Sequence, residues 1–324
     1  MEEYVDILVA TYNGEKYIRQ QLDSILNQTY SKIKIFISDD CSTDNTKNIL
    51  KEYEGKYDNI KVTYKNENCG CISNFEFLMQ QVEDEYYAFS DQDDVWYSDK
   101  VEKSLKKLKD ENSDLVFTDL EVVDEDLNTI NNSFNTMMGK IGKIRKSVSK
   151  MEFEYLYNSI TGCTILAKSS MISKILPLPK NSKYVIHDSW VGLATSINGK
   201  VCYLDEATVK YRQHGDNQVG ANRRKYNSFD EMRNLFIAVK KDLFETYLEY
   251  NDKFPDELKE LNTKGKKYFE MIEHKKFFNF RVWNTFHKLY KNEEFSYRMK
   301  NFIIINFPII GRLLFAIHKV FRKG

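Results

Sequence analysis

The chain has 324 residues, 48 Lys and Arg against 48 Asp and Glu, and 42% hydrophobic residues. That is enough for one large domain and a smaller one with a buried core, and it excludes a wholly disordered protein. Zero net charge argues against a protein that lives by bulk attraction to nucleic acid, and 4 Pro with 13 Gly exclude a collagen-like or linker-dominated architecture.

Met1-Glu2-Glu3-Tyr4 is acidic and runs straight into an apolar stretch, so no signal peptide is expected. Cys41, Cys69, Cys71, Cys163 and Cys202 are odd in number and scattered, which suits reduced thiols in a cytoplasmic protein. No charge-free apolar run is long enough to predict a spanning helix.

The first strand is expected at Val5-Asp6-Ile7-Leu8-Val9-Ala10, followed by a helix in which Ile18, Leu22, Ile25 and Leu26 recur at helical spacing. Ile33-Lys34-Ile35-Phe36-Ile37 is the second strand, and the polar turn from Asp40 to Asp44 leads into a helix reaching Tyr53. A strand at 60–64, a helix at 73–82 and a strand at Tyr86-Tyr87-Ala88-Phe89 follow. Ser98 is expected to cap a helix ending near Asp110, and Leu115-Val116-Phe117 opens a fifth strand. Strand starts near 5, 33, 60, 86 and 114 are 28, 27, 26 and 28 residues apart, which suits successive strand–helix units in a mostly parallel sheet flanked by helices.

Ligands of such sheets bind beyond the carboxyl ends of the strands. Thr11-Tyr12-Asn13, Asp39-Asp40 and the run from Asp91 to Asp94 all follow strands, so they should meet at one edge. From 119 to 150 the chain turns polar and reads as a long loop; then come an ordered stretch at 160–167, a helix from Asp188, and two strands around 200–203 and 208–211. Beyond Arg223 the chain is helical, aromatic and charged, which places a boundary between 1–222 and 223–324.

FSDQDDVW, residues 89–96, crowds three carboxylates just after a strand. Like charges so close need a compensating cation, and hard oxygen donors suit Mg²⁺ or Mn²⁺. On the residues alone, a solvated turn with one Asp capping the next helix stands level with a metal site. No glycine cradle competes for phosphate: G-x-G-x-x-G is absent, and Gly215 to Gly220 is followed by Ala221-Asn222 in place of Lys and Ser or Thr.

VDILVATYNGEKYIRQQLDSILNQ, ISDDCSTDNT and FSDQDDVW, in this order and spacing, resemble glycosyltransferase family 2, and HDSWVGLA…YRQHGDNQVG at 187–220 resembles its rhamnosyltransferase-like branch. The likeness covers roughly the first 220 residues. It implies a GT-A nucleotide-diphospho-sugar transferase fold with a C-terminal helical extension. The implied activity is inverting transfer of a sugar, rhamnose favoured, from dTDP-rhamnose or a UDP-sugar to a glycan or lipid-linked oligosaccharide, in bacterial surface or capsular polysaccharide synthesis.

By the same resemblance Thr11, Tyr12 and Asn13 line the nucleoside pocket, and Asp40, beside Asp39, reads the base. Asp93 and Asp91 form the D-x-D pair that holds Mn²⁺ or Mg²⁺, with Asp91 serving ribose or a metal-bound water. His214 completes the metal site, and Asp188 is the catalytic base, preceded here by His187 where many relatives have Glu. Arg212 faces the leaving diphosphate or forms a structural ion pair, and Trp96 and Trp190 line the core or the acceptor wall. A sugar-nucleotide pyrophosphorylase and a non-catalytic carbohydrate-binding protein are the rival readings. The first wants a Gly- and Arg-rich loop where this chain has Thr11-Tyr12-Asn13-Gly14.

After Glu294 every charged residue is basic, and apolar runs are broken by Pro308 and Arg312. The segment suits peripheral contact with the inner face of a membrane, or packing onto its own domain or a second subunit.

Overall fold

A computed structural model describes residues 3–139, 160–215 and 226–273, together with Ile144, Asn306, Phe307 and Arg312. The chain divides into two compact units, Met1–Lys180 with Ile186–Asn222, and Asn181–Val185 with Arg223–Gly324.

The first unit is built on one sheet flanked by helices. Its strands are β1 (Val5–Thr11), β2 (Ile33–Asp39), β3 (Ile60–Tyr64), β4 (Tyr86–Ser90), β5 (Val95–Trp96), β6 (Leu115–Val123), β7 (Thr129–Asn131), β8 (Leu166–Lys168) and β9 (Val201–Arg212). They lie in the order β3-β2-β1-β4-β8-β6-β9-β5, with β7 on β6. The helices are α1 (Ile18–Leu26), α2 (Thr46–Lys56), α3 (Cys71–Met79), α4 (Lys100–Asp110), α5 (Phe134–Met137), α6 (Ile172–Ile175) and α7 (His187–Asn198).

The parallel block read from the spacing is β3-β2-β1-β4. Continuous apolar runs such as Ile35-Phe36-Ile37 suit it, because helices bury both faces of a parallel sheet. Past β4 the sheet is mixed. β8 inserts antiparallel between β4 and β6, so the fifth strand of the spacing argument is not the neighbour of the fourth.

Three further expectations change. The polar reading of 119–150 hid the end of β6, whose Asp119 and Glu121 are buried beside Leu120 and Val122; residues 140–143 and 145–150 lie outside the described residues. The two strands at 200–203 and 208–211 are the single strand β9, which shifts register against β6 between Thr118 and Leu120. The residue before α4 is Asp99, not Ser98.

Among its described residues the second unit is helical, with α8 (Phe229–Glu249) and α9 (Asp256–Glu273). Ser228 caps α8 by accepting from the Glu231 N–H at 3.1 Å. Phe244 stacks on Phe269 with centroids 5.8 Å apart. Most of residues 295–324, on which the membrane expectation falls, lies outside the described residues. Within that stretch Asn306 donates to the Tyr268 hydroxyl at 3.1 Å and Arg312 pairs with Asp230 at 3.0 Å. Among the described residues no helix is long and apolar enough to cross a membrane.

Candidate active site

Register brings the first two polar runs together. Thr11 pairs with Asp39 at the ends of β1 and β2, and Val9 pairs with Ser90 at the end of β4. The loops after β1 and β2 then interlock. Asn13, in the left-handed region at φ 50°, donates its N–H to Ser42 Oγ at 2.8 Å and accepts the Thr43 N–H at 2.8 Å. Asp39 is fully buried and accepts from the Ser42 N–H at 3.0 Å, which makes it a brace of its own turn. Asp40 accepts the N–H groups of Cys69 at 3.0 Å and Gly70 at 2.8 Å. Asp40 thereby secures the entry to α3, while Asn45 is the residue before α2. Tyr12 stands 44% exposed at the rim, where a flat ligand can stack on it.

The D-x-D run turns its carboxylates in different directions. Asp93 Oδ2 lies 2.9 Å from His214 Nε2, which joins a loop after β4 to the residues just past β9. Burial, then the charges of Asp93 and Asp188, push the Asp91 carboxyl up to about 7. Asp91 thus feels Asp93 from its own loop and Asp188 from α7. Asp94 points inward: it is fully buried, accepts the Arg212 N–H at 3.1 Å and lies beside the Cys163 thiol. Ligand atoms of Asp91, Asp94 and Cys163 lie within 4.8 Å of one another. Beneath them Lys100 is buried over the Trp96 ring at 4.7 Å, and burial lowers its ammonium to about 8.

Asp188 occupies the first turn of α7 and is 6% exposed. One oxygen accepts the Gly162 N–H at 3.1 Å and the other the N–H of Ser189. Its neighbour His187 stacks on Phe75 at 4.1 Å between centroids and meets Phe89 edge-on. Burial pushes that imidazole down to about 3, so it is neutral and structural. The close approach needs Gly162, where a Cβ would sit 2.8 Å from His187 Nε2.

Arg212 is 2% exposed, and its guanidinium works as a brace. Nε donates to the Asp93 carbonyl at 2.8 Å, one terminal nitrogen to Gln20 Oε1 at 2.6 Å, and the other to the Glu125 carbonyl. Its side chain also lies 4.6 Å from the Tyr17 ring, against which His214 packs at 4.8 Å. All three acceptors are neutral, two carbonyls and an amide. Trp96 and Trp190 are both core residues, 3% and 1% exposed, and Trp190 donates to the Ile175 carbonyl at 3.0 Å.

Sequence reasoning missed Gly162, Tyr17 and Gln92. Gln92 carried a signal in its place between Asp91 and Asp93; the other two had none, because their partners are 26 and 197 residues away.

Comparison with known proteins adds the following. The profile of the family described as "Glycosyl transferase family 2" matches residues 6–172. The chain is 34% identical over 241 residues to the dTDP-rhamnosyl transferase RfbG of Shigella flexneri, covering 70% of this chain and 79% of that one. It is 28% identical over 223 residues to TuaG of Bacillus subtilis (strain 168), named for teichuronic acid biosynthesis, covering 68% and 83%. The structure resembles S. aureus TarS 1-349 in complex with UDP-GlcNAc, with a TM-score of 0.55 and 18% identity over 89% of this chain and 81% of that one. It also resembles the mannosyltransferase PcManGT from Pyrobaculum calidifontis in complex with GDP-Man and Mn²⁺, with a TM-score of 0.58 and 13% identity over 100% and 81%. The fold is that of the GT-A glycosyltransferases, with a helical C-terminal segment.

Proposed function

The chain belongs to glycosyl transferase family 2, and on that premise we propose that it transfers rhamnose from dTDP-rhamnose, with inversion, to a hydroxyl of a glycan acceptor during synthesis of a bacterial surface polysaccharide. The donor choice draws on the dTDP-rhamnosyl transferase RfbG, and the polysaccharide setting on TuaG as well.

One arrangement supports the chemistry: Asp93 Oδ2 lies 2.9 Å from His214 Nε2, and the Asp91 carboxyl two residues away is raised by burial and then by the charges of Asp93 and of Asp188 from α7. An acceptor hydroxyl is a poor nucleophile at neutral pH and needs a base held beside the reacting carbon. Asp188 takes that role, with its two oxygens oriented by the Gly162 and Ser189 N–H groups. The loop after β1 and Asp40 bind the nucleoside, and Arg212 supports the Asp93 backbone from behind.

The carboxylate donors and the imidazole suit a divalent ion, because burial, and then the charges of Asp93 and Asp188, disfavour a bare carboxylate at Asp91 and a cation would offset that. Asp91, Asp93 and His214 would hold Mn²⁺ or Mg²⁺. When bound, the ion supplies positive charge that stabilises a departing diphosphate.

A thermal-shift screen of dTDP-rhamnose, UDP-sugars and GDP-mannose, each with and without Mn²⁺, tests the reading. At a hundred times the dissociation constant a ligand adds about 2.7 kcal/mol, which is roughly 5–10 °C for a domain of this size. dTDP-rhamnose with Mn²⁺ is expected to give the largest shift, and proton NMR of the product should show the inverted anomer. No shift with any nucleotide sugar rejects the proposal.

A further inference from the structure

We propose that Gln92, between the two carboxylates of the D-x-D run, is a positioning residue that couples nucleoside binding to divalent-ion binding. The proposal rests on the donor-binding reading above.

The geometry is specific. Gln92 Oε1 accepts from the Thr11 hydroxyl at 2.7 Å and from the Tyr12 N–H at 2.8 Å, and Nε2 donates to the Tyr12 carbonyl at 3.0 Å. One side chain thus satisfies both backbone groups of Tyr12 and occupies the hydroxyl of Thr11. The Thr11 hydroxyl, which sequence reasoning aimed at a nucleoside, is committed to this bridge. Gly14 leaves room for it, since a Cβ there would lie 2.5 Å from Gln92 Oε1. On its other side Gln92 is bonded through the backbone to Asp91 and Asp93. Eighty residues separate Tyr12 from Gln92; the pairing of β1 with β4 brings their loops together, and this amide ties one loop to the other.

Coupling follows from that connection. With Asp91 and Asp93 holding a cation, the backbone on both sides of Gln92 would be restrained, and the three bonds would carry that restraint to the loop holding Tyr12. Ordering one loop lowers the cost of ordering the other, and the effect is reciprocal.

The test uses the full-length protein and variants Gln92→Met, which keeps the length and removes all three bonds, and Thr11→Val, which removes one bond from the opposite end. Calorimetry measures dTDP and UDP binding with and without Mn²⁺, and electron paramagnetic resonance counts free Mn²⁺ to give its affinity alone. In the wild type Mn²⁺ should tighten nucleotide binding; in Gln92→Met that enhancement should fall about five-fold or more, and in Thr11→Val by less. Mn²⁺ affinity without nucleotide should stay within about two-fold, because its proposed ligands remain. If Gln92→Met fails to fold, Thr11→Val carries the same comparison. Equal weakening with and without Mn²⁺, accompanied by a lower melting temperature, would mean that Gln92 merely supports the fold and would overturn the coupling. A wild type that binds neither nucleotide under either condition overturns the donor reading itself, a result distinct from an unchanged coupling in the variants.

Discussion

Asp188→Asn separates the chemistry of the base from its place in the fold. The exchange preserves shape and removes the ability to take a proton. A positioned general base contributes ~10²–10⁴-fold, equivalent to about 3–5 kcal/mol of barrier at about 1.4 kcal/mol per decade. The structure sets a second, smaller cost. Wild-type Asp188 accepts the Gly162 N–H on one oxygen and the Ser189 N–H on the other, while Asn offers only one oxygen. One buried N–H then loses its acceptor, at about 1–3 kcal/mol, or a few degrees of melting temperature. Asp188→Ala removes both acceptors and should melt lower still. The measurements are transfer rate at saturating donor, donor affinity by calorimetry, and melting. Turnover should fall by at least about a hundred-fold with donor affinity nearly constant. Asp188→Asn turning over like the wild type would remove Asp188 from the role of base. A parallel collapse of donor affinity would show that the residue holds the pocket instead.

Asp93→Ala and His214→Ala should each weaken Mn²⁺ binding by about ten-fold or more, as expected for lost ligands or ligand partners; unaltered Mn²⁺ titrations would discard the assignment. Gly162→Ala places a Cβ 2.8 Å from His187 Nε2, so it should cost about 1–3 kcal/mol and slow transfer by displacing Asp188; a variant with wild-type melting and rate would show that the helix start yields freely. Asp6 is fully buried, accepts the Glu83 N–H at 2.7 Å and the Asp84 N–H at 2.9 Å, and burial is the main cause that pushes its carboxyl up to about 6. The folded chain therefore holds this proton more tightly than the unfolded one, so the group's contribution is complete below about pH 4 and is lost as pH climbs through about 6. Asp6→Asn should flatten that interval, gaining on the order of 1–3 kcal/mol at pH 8 relative to its effect at pH 4; urea midpoints with the same pH dependence in both proteins would refute this.

The order of the first strands, and the edge at which the site lies, were written locally. Apolar runs at regular intervals specify strand–helix units, and chirality with short connections then puts Thr11, Asp39 and Asp91 at one edge without reference to distant residues. The sheet beyond β4 was not legible, because the three-residue β8 carries little pattern and its place between β4 and β6 depends on pairing at long range. Side-chain direction was equally hidden. Asp91, Asp93 and Asp94 look alike in a row, yet only packing decided that Asp94 turns inward toward Arg212 and Cys163 while Asp93 meets His214. Arg212 and Gln92 show the same limit. A charge or an amide in a motif announces that it will bond, but the acceptors of Arg212 come from α1, the loop after β4 and the turn after β6, and the partners of Gln92 lie 80 residues or more away, at the end of β1 and just past it. The sequence determined which groups gather at the edge of the sheet; the tertiary structure decided which of them face the cleft and which hold it together, because each buried polar atom must find its partner where the packed chain provides one.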